Sequence, residues 1–314
     1  ERRLGSIQTV ATLITHSVCL EHQMEQGHPE SPERLAAVLS HVNDSRLIDD
    51  LTTLQATEAV RDDLTAFHRD KYVDALVAME PDQGLRPVNP DTSMGPKSLA
   101  AARYAAGAAI QGVDHVLAEA DTRVFCAVRP PGHHAEESTA MGFCFFNSVA
   151  LAAHRALNKH ELERVAILDF DVHHGNGTVD AFQDDPRVLV CSSFQFPHYP
   201  YRLQDVDRPN IVNTPLAAGT TGVQFRKAIE RDWLPAMDEF APALILVSAG
   251  FDAHRDDPLG DLLLDEADFG WITSLIIDAA NRHARGRIVS VLEGGYNLKA
   301  LARSVATHLE ELCA

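Results

Sequence analysis

Positive charge is scarce in this chain: 27 lysines and arginines stand against 45 aspartates and glutamates, a net charge of −18 over 314 residues. Such a surface repels nucleic acid and anionic membranes, so neither is an expected partner. It would draw cationic substrates such as lysine-rich tails or polyamines, although the same excess also serves plain solubility. Cysteine is sparse and scattered. The five residues Cys19, Cys126, Cys144, Cys191 and Cys313 are odd in number and form no C-x-x-C pair, which argues against a disulfide framework and against a cysteine-held zinc. Long apolar runs are also missing: none approaches the roughly 18 residues that cross a bilayer. The opening ERRLGSIQTVATLITH lacks a signal-type cleavage site after an apolar core, and a reducing, cytoplasmic setting is the expectation. No Ser/Gly-rich linker, charge block, repeat or low-complexity segment divides the sequence. With 45% hydrophobic residues, residues 1–314 are expected to form one domain, alone or as a homo-oligomer.

What is present is a repeating alternation. Short apolar runs rich in β-branched residues occur at TLIT near the start, VFCAV (124–128), VAILDF (165–170), VLVCSS (188–193), ALILVSAG (243–250) and IVSVLEGG (288–295). Runs apolar on both faces are how parallel strands covered by helices read. Between them lie helix-period segments. Pro96 to Ala120 is Ala-rich, and 147–160 follows a capping Asn147. The segment 222–240 spaces Phe225, Ile229, Trp233 and Met237 as on one helix face, and 265–285 opens with Asp265 as an N-cap. The alternation predicts an α/β fold, a single open parallel sheet with helices on both faces.

In such sheets ligands bind in the loops beyond the carboxyl ends of the strands. Those loops are the most chemically loaded stretches of the chain: RPPGHHAE, DFDVHHGNGT, SSFQFPHYPY, SAGFDAHRDDPLG and EGGYNL. If the extended backbone continues past VAIL, Asp169, Asp171 and His173 point to one side. A carboxylate and an imidazole two residues apart can share a divalent metal, and Asp252, just past its own strand, is the best-placed third ligand. Two carboxylates and one imidazole suit Zn²⁺ with an open position for water, with Fe²⁺ or Co²⁺ as the alternatives. The tandem His133 and His134, held by a Pro-Pro-Gly turn, supply a base and an acid beside such a metal. In EGGYN the glycines, Gly294 among them, let the backbone approach a ligand, and Tyr296 offers a phenol to a developing oxyanion.

GHPESPERL, RPPGHHA, GFCFFN, LDFDVHHGNGT, SAGFDAHRDDPLG and LEGGYN resemble the signature series of the histone deacetylase family, in order, from about residue 14 to the end. Asn176 in VHHGNGT is similar to the class II branch and its bacterial relatives, acetylpolyamine amidohydrolases included. The resemblance implies the arginase/deacetylase fold, one Zn²⁺ per chain held by Asp171, His173 and Asp252, and removal of acyl groups from acyl-lysine in a protein or peptide, or from a small cationic acetylated amine. It further implies His133, His134 and Tyr296 as catalytic groups. Phe143, next to Gly142 in GFCFFN, and Tyr199 would line the tunnel for the acyl-lysine methylenes. Asp169 would accept from His133 and help bind a structural K⁺ beside Ser192, and Asn176 would orient His134. A neutral amide favours an imidazolium less than a carboxylate does, so His134 is the expected base and His133 the expected cation.

Two departures stand out. Where most relatives carry P-G-T-G after the tunnel aromatic, this chain has Pro200-Tyr201-Arg202-Leu203, and S-x-H-Q is replaced by Ser192-Ser193-Phe194-Gln195. A differently shaped rim is therefore expected. Arg34 in PERL matches a position behind the active site, yet from sequence alone it reads as an exposed helix arginine. His174 is left over, and strand alternation would turn it away from the metal as support beneath the loop.

Overall fold

A computed structural model describes residues 10–119 and 122–314. In chain order its strands are β1 (Val10–Thr15), β2 (Leu51–Gln55), a short antiparallel pair β3 (Arg86–Asn89) and β4 (Thr92–Met94), then β5 (Thr122–Cys126), β6 (Val165–Asp169), β7 (Val188–Gln195), β8 (Ile211–Leu216), β9 (Leu244–Ala249) and β10 (Ile288–Leu292). Eight of them form one sheet in the order β2-β1-β5-β10-β9-β6-β7-β8, and every neighbouring pair in it is parallel.

The six apolar runs of the sequence are β1, β5, β6, β7, β9 and β10. Five of these, β5, β6, β7, β9 and β10, are buried at every position, as strands with helices on both sides must be. The sequence pattern does not give β2 or β8, and both are edges. Every residue of β2 is at least partly exposed, while β8 mixes buried with exposed positions and carries Pro215, which an edge strand tolerates. An edge needs fewer apolar residues, so its signal falls to that of a loop.

Helices cover both faces. Ser98–Ala118 and Ser148–Asn158 pack together on one side, over β5, β10, β9 and β6. On the other, Glu266–His283 joins Leu298–Leu312, which in turn meets Pro32–Asp44. The Ala-rich helix begins at Ser98 rather than Pro96 and ends at Ala118; its expected end, Ala120, lies outside the described residues, as does most of the opening segment. Asn147 and Asp265 cap their helices, each side chain accepting a backbone N–H. Phe225, Ile229, Trp233 and Met237 are all buried along Gly222–Phe240. No described helix is long and apolar enough to cross a membrane.

The register sets the level of the strand ends. Asp169, last in β6, pairs with Ser192 on one side and Ser248 on the other, while Val291 of β10 pairs with both Ser248 and Cys126. The loops that leave β5, β6, β9 and β10 therefore open at one edge of the sheet, next to its centre.

Candidate active site

Asp171, His173 and Asp252 converge there, all buried, with one donor atom of each lying within 4.8 Å of the others. The backbone that brings them together is not the continued strand of the sequence reading. β6 stops at Asp169, and two successive turns follow, in which Asp169 Oδ1 accepts from the Asp171 N–H at 3.1 Å and Asp171 Oδ1 from the His173 N–H at 2.9 Å. Aspartate makes such turns by standing in for a backbone carbonyl. Asp252 Oδ1 takes the Val172 N–H at 2.8 Å, and Asp171 Oδ2 that of Gly294 at 2.9 Å. A Cβ at Gly294 would collide with both carboxylates, which is why a glycine turn leaves β10.

His173 Nδ1 lies 2.9 Å from Asp171 Oδ1 and 3.2 Å from Asp252 Oδ2. Burial pushes this imidazole down, but the two carboxylates outweigh it and raise its pKa to about 10. A site that grips a proton between two buried carboxylates is one where a divalent cation fits, since otherwise the paired charge is costly to bury. Oxygen and imidazole nitrogen donors suit Zn²⁺, Fe²⁺ or Co²⁺.

The tandem histidines stand side by side, ring centroids 4.1 Å apart, yet their surroundings differ. His133 Nδ1 donates to Asp169 Oδ2 at 2.8 Å, and the N–H groups of Gly132 and His133 go to Glu293 Oε2 at 2.6 and 3.1 Å. Burial opposes its charge, but Asp169, Asp171 and Glu293 hold its pKa well above the usual imidazole value. His134 Nδ1 meets the neutral Asn176 Oδ1 at 2.7 Å. Burial, then the positive charges of His133 and His173, press its pKa well below the usual value. One ring is paired with a carboxylate, which favours its cation, and the other with a neutral amide, which does not.

A pocket of about 240 Å³ runs from His134, His173 and Tyr296 outward between Phe143, Tyr199 and Leu259. Tyr199 stands perpendicular to His134 at 5.2 Å and Phe143 perpendicular to Tyr296 at 5.9 Å. Gly142 and Phe143 both have positive φ, 55° and 69°, and a Cβ on Gly142 would run into the His134 ring. Burial raises the Tyr296 phenol well above its ordinary pKa against the pull of Arg34, so the phenol stays protonated. Arg34 corrects the sequence reading: it is fully buried, its guanidinium lies 4.7 Å from the Tyr296 ring centroid, and it donates to the Gly295 and Glu293 carbonyls at 2.6 Å each. Buried Glu30, which also takes Arg129 on both oxygens, balances it at 3.2 Å.

His174 is buried and faces away from the pocket, 3.0 Å from Asn213 Oδ1 and edge-on to Phe194, though through a bend rather than a strand pleat. At the rim, Tyr201 and Leu203 hold φ of 58° and 55°, a left-handed backbone that favours glycine. Several groups escape the sequence reading. Asp91 accepts from the Tyr199 hydroxyl at 2.9 Å and from the Gly142 N–H at 3.2 Å; it comes from the β3–β4 turn, far from any strand-end motif. Asp257 takes the Tyr296 N–H at 2.7 Å, and His198 stacks on His173 at 5.1 Å. Glu293 directly follows β10 and Asp257 lies in the loop after β9, so a charged residue in a strand-end loop was the signal for both.

The family model described as Histone deacetylase domain matches residues 28–312. A histone deacetylase-like amidohydrolase of Pseudomonas aeruginosa is 39% identical over 86% of this chain and 73% of its own length. The human polyamine deacetylase HDAC10 is 37% identical over 90% of this chain, which spans only 44% of that protein. The solved HDA15 HD domain superposes with a TM-score of 0.91 at 30% identity, over 97% of this chain and 88% of its own. With the family's motifs folded into one buried constellation on the family's own sheet, the chain belongs to the histone deacetylase family.

Proposed function

We propose that this protein is a zinc-dependent deacetylase that hydrolyses the amide of Nε-acyl-lysine in proteins or peptides. The observation that carries the reading is the arrangement round one pocket: tandem histidines, one on a carboxylate and the other on a neutral amide, a phenol and a buried two-carboxylate, one-imidazole ligand trio. Asp171, His173 and Asp252 would hold the Zn²⁺, which when bound polarises the acyl carbonyl and lowers the pKa of a water. Asp169 and Ser192, paired across β6 and β7, would hold a structural K⁺.

The rest is the work of this chain's side chains. His134, with its Nδ1 proton directed at Asn176, presents Nε2 to take the proton of the attacking water. Tyr296 donates its hydroxyl hydrogen to the carbonyl oxygen as negative charge develops there, an interaction stronger in the transition state than in the ground state. Once protonated, His134 lies beside His133, whose positive character favours loss of the proton, so it passes that proton to the departing amine. Asp169 keeps His133 charged and oriented. Phe143 and Tyr199 flank the acyl-lysine methylenes, and Gly142 and Gly294 allow the close approach of walls and backbone.

A second reading is hydrolysis of small acetylated amines such as acetylputrescine, which the net charge of −18 and the polyamine deacetylase relative favour. Against it, the carboxylate lining the pocket, Asp91, has both oxygens engaged by neighbours. Kinetics on a panel of acyl-lysine peptides and acetylated small amines, with metal content measured on the same preparation and a chelator control, decide between them. Turnover of peptide with one zinc per chain is the expected result; preference for acetylputrescine, or chelator-resistant activity, would overturn it.

A further inference from the structure

The amide of Asn176 faces two demands. Its Oδ1 lies against His134 Nδ1, while its Nδ2 donates to Glu136 Oε1 at 2.8 Å and has the His134 carbonyl and the Met141 sulfur at 3.3 Å each. Turning the amide over would set its oxygen against the Glu136 carboxylate, so that carboxylate fixes its direction. With Oδ1 toward the ring, His134 must carry its proton on Nδ1, which leaves the Nε2 lone pair free in the pocket.

Glu136 is itself held. It is 5% exposed, and Arg202 grips both of its oxygens, Nε to Oε1 at 2.9 Å and Nη2 to Oε2 at 2.7 Å. Its backbone is tied on either side: its N–H reaches the Thr139 carbonyl at 3.0 Å and its own carbonyl lies 3.1 Å from His68 Nδ1. Arg202 belongs to the rim segment Pro200–Leu203, where this chain departs from the family's glycine-bearing turn. A bidentate arginine fixes a carboxylate in angle as well as distance.

We propose that Glu136 is a positioning residue which, through the Asn176 amide, sets the tautomer of His134, and that Arg202 anchors it from the rim, tying the tunnel mouth to the base. This rests on the reading of His134 as the base in the proposed reaction. Arg202, Glu136 and Asn176 all lie outside the pocket lining.

The test uses the zinc-loaded full chain. Glu136→Leu should lower kcat on an acetyl-lysine peptide about tenfold, the scale of one lost hydrogen bond to a charged group, with KM held within about twofold. Glu136→Gln, whose carbonyl can still accept from Asn176, should recover most of the loss. Arg202→Met, which removes an exposed partner, should cost about two- to threefold. In an Asn176→Ala background Glu136→Leu should add nothing, because both act along one path. Long-range ¹H–¹⁵N correlation of the imidazoles reads the tautomer directly: Nδ1–H in the wild type, a mixture in Glu136→Leu, with Glu136→Ala used if the leucine protein does not fold. An unchanged tautomer, or losses that add in the double variant, would overturn the proposal. Absence of turnover in the wild type would sink the assigned reaction, while the tautomer measurement would still judge Glu136.

Discussion

The floor and the rim of the pocket are held by different physics. At the floor Asp169, Asp171, Asp252 and Glu293 are at most 1% exposed, and each answers to partners from another strand end. At the rim Phe143, Tyr199 and Leu259 are half-buried, Tyr201 is 71% exposed, and Phe143, Tyr201 and Leu203 lie in left-handed backbone. Groups that stabilise transition-state charge must be fixed in advance in a dry site, whereas groups that select a substrate can sit on loops. The contrast predicts that floor substitutions act on kcat and rim substitutions on KM or on stability.

The largest effect should come from the ligand trio. His173→Ala leaves two buried carboxylates facing each other without an imidazole. Metal content measured by mass spectrometry should fall from one per chain toward zero, and activity by about 10³-fold, the upper range for loss of a charge-stabilising contact. Wild-type activity with no metal bound would break the comparison at its base. Tyr296→Phe comes next. It removes one hydrogen-bond donor and no packing, so kcat should drop on the order of 10²-fold while KM changes little; a loss confined to KM would move Tyr296 from floor to rim.

Asn176→Asp sharpens the division between the two histidines. Made alone, it would set a carboxylate oxygen against Glu136 Oε1, so it is made together with Glu136→Gln, whose amide can donate to it. The new carboxylate then stabilises protonated His134 and raises its pKa relative to Glu136→Gln alone. The base form is the deprotonated one, so the acidic limb of kcat/KM should move upward, by about one pH unit on the scale of a neighbouring carboxylate. An acidic limb that stays put would mean that His134 is not the base.

The same contrast governs what the sequence could reveal. Asp171, His173, Asp252 and the tandem histidines follow apolar runs, and the sheet rule alone carries the strand-end loops to one edge. The reason for their shared direction was not legible: two aspartate turns do what a pleat was expected to do, because a hydrogen bond from a side chain to a following N–H leaves no periodic trace. Arg34 was misread for a related cause. Its helix position says nothing of Glu30 and the carbonyls of Glu293 and Gly295, which make burial of a guanidinium tolerable. Asp91 is set by a turn between two short strands outside the main sheet, where neither periodicity nor a strand end marks it. Edge strands β2 and β8 were silent because every residue of the first and three of the six in the second are at least partly exposed.

The smallest effects belong to the rim, and there two residues with one backbone conformation should respond oppositely. Tyr201 and Leu203 share a φ near 55–58°, which costs a residue with a Cβ about 1–2 kcal/mol relative to glycine. Tyr201 is exposed and gains little from burial, so Tyr201→Gly should relieve that strain. Part of the gain is offset by the greater freedom of glycine in the unfolded chain, leaving a rise in Tm of about 1–3 °C. Its kcat on an acetyl-lysine peptide should stay within about twofold of wild type. Leu203 packs against the core, and losing a partly buried leucine costs about 1–2 kcal/mol of transfer free energy. That cost and the unfolded-state entropy together outweigh the relieved strain, so Leu203→Gly should lower Tm. If both variants gain stability, Leu203 contributes no packing and the rim segment is held by Arg202 alone; if both lose it, Tyr201 is fixed by contacts that its exposure in the free protein does not reveal.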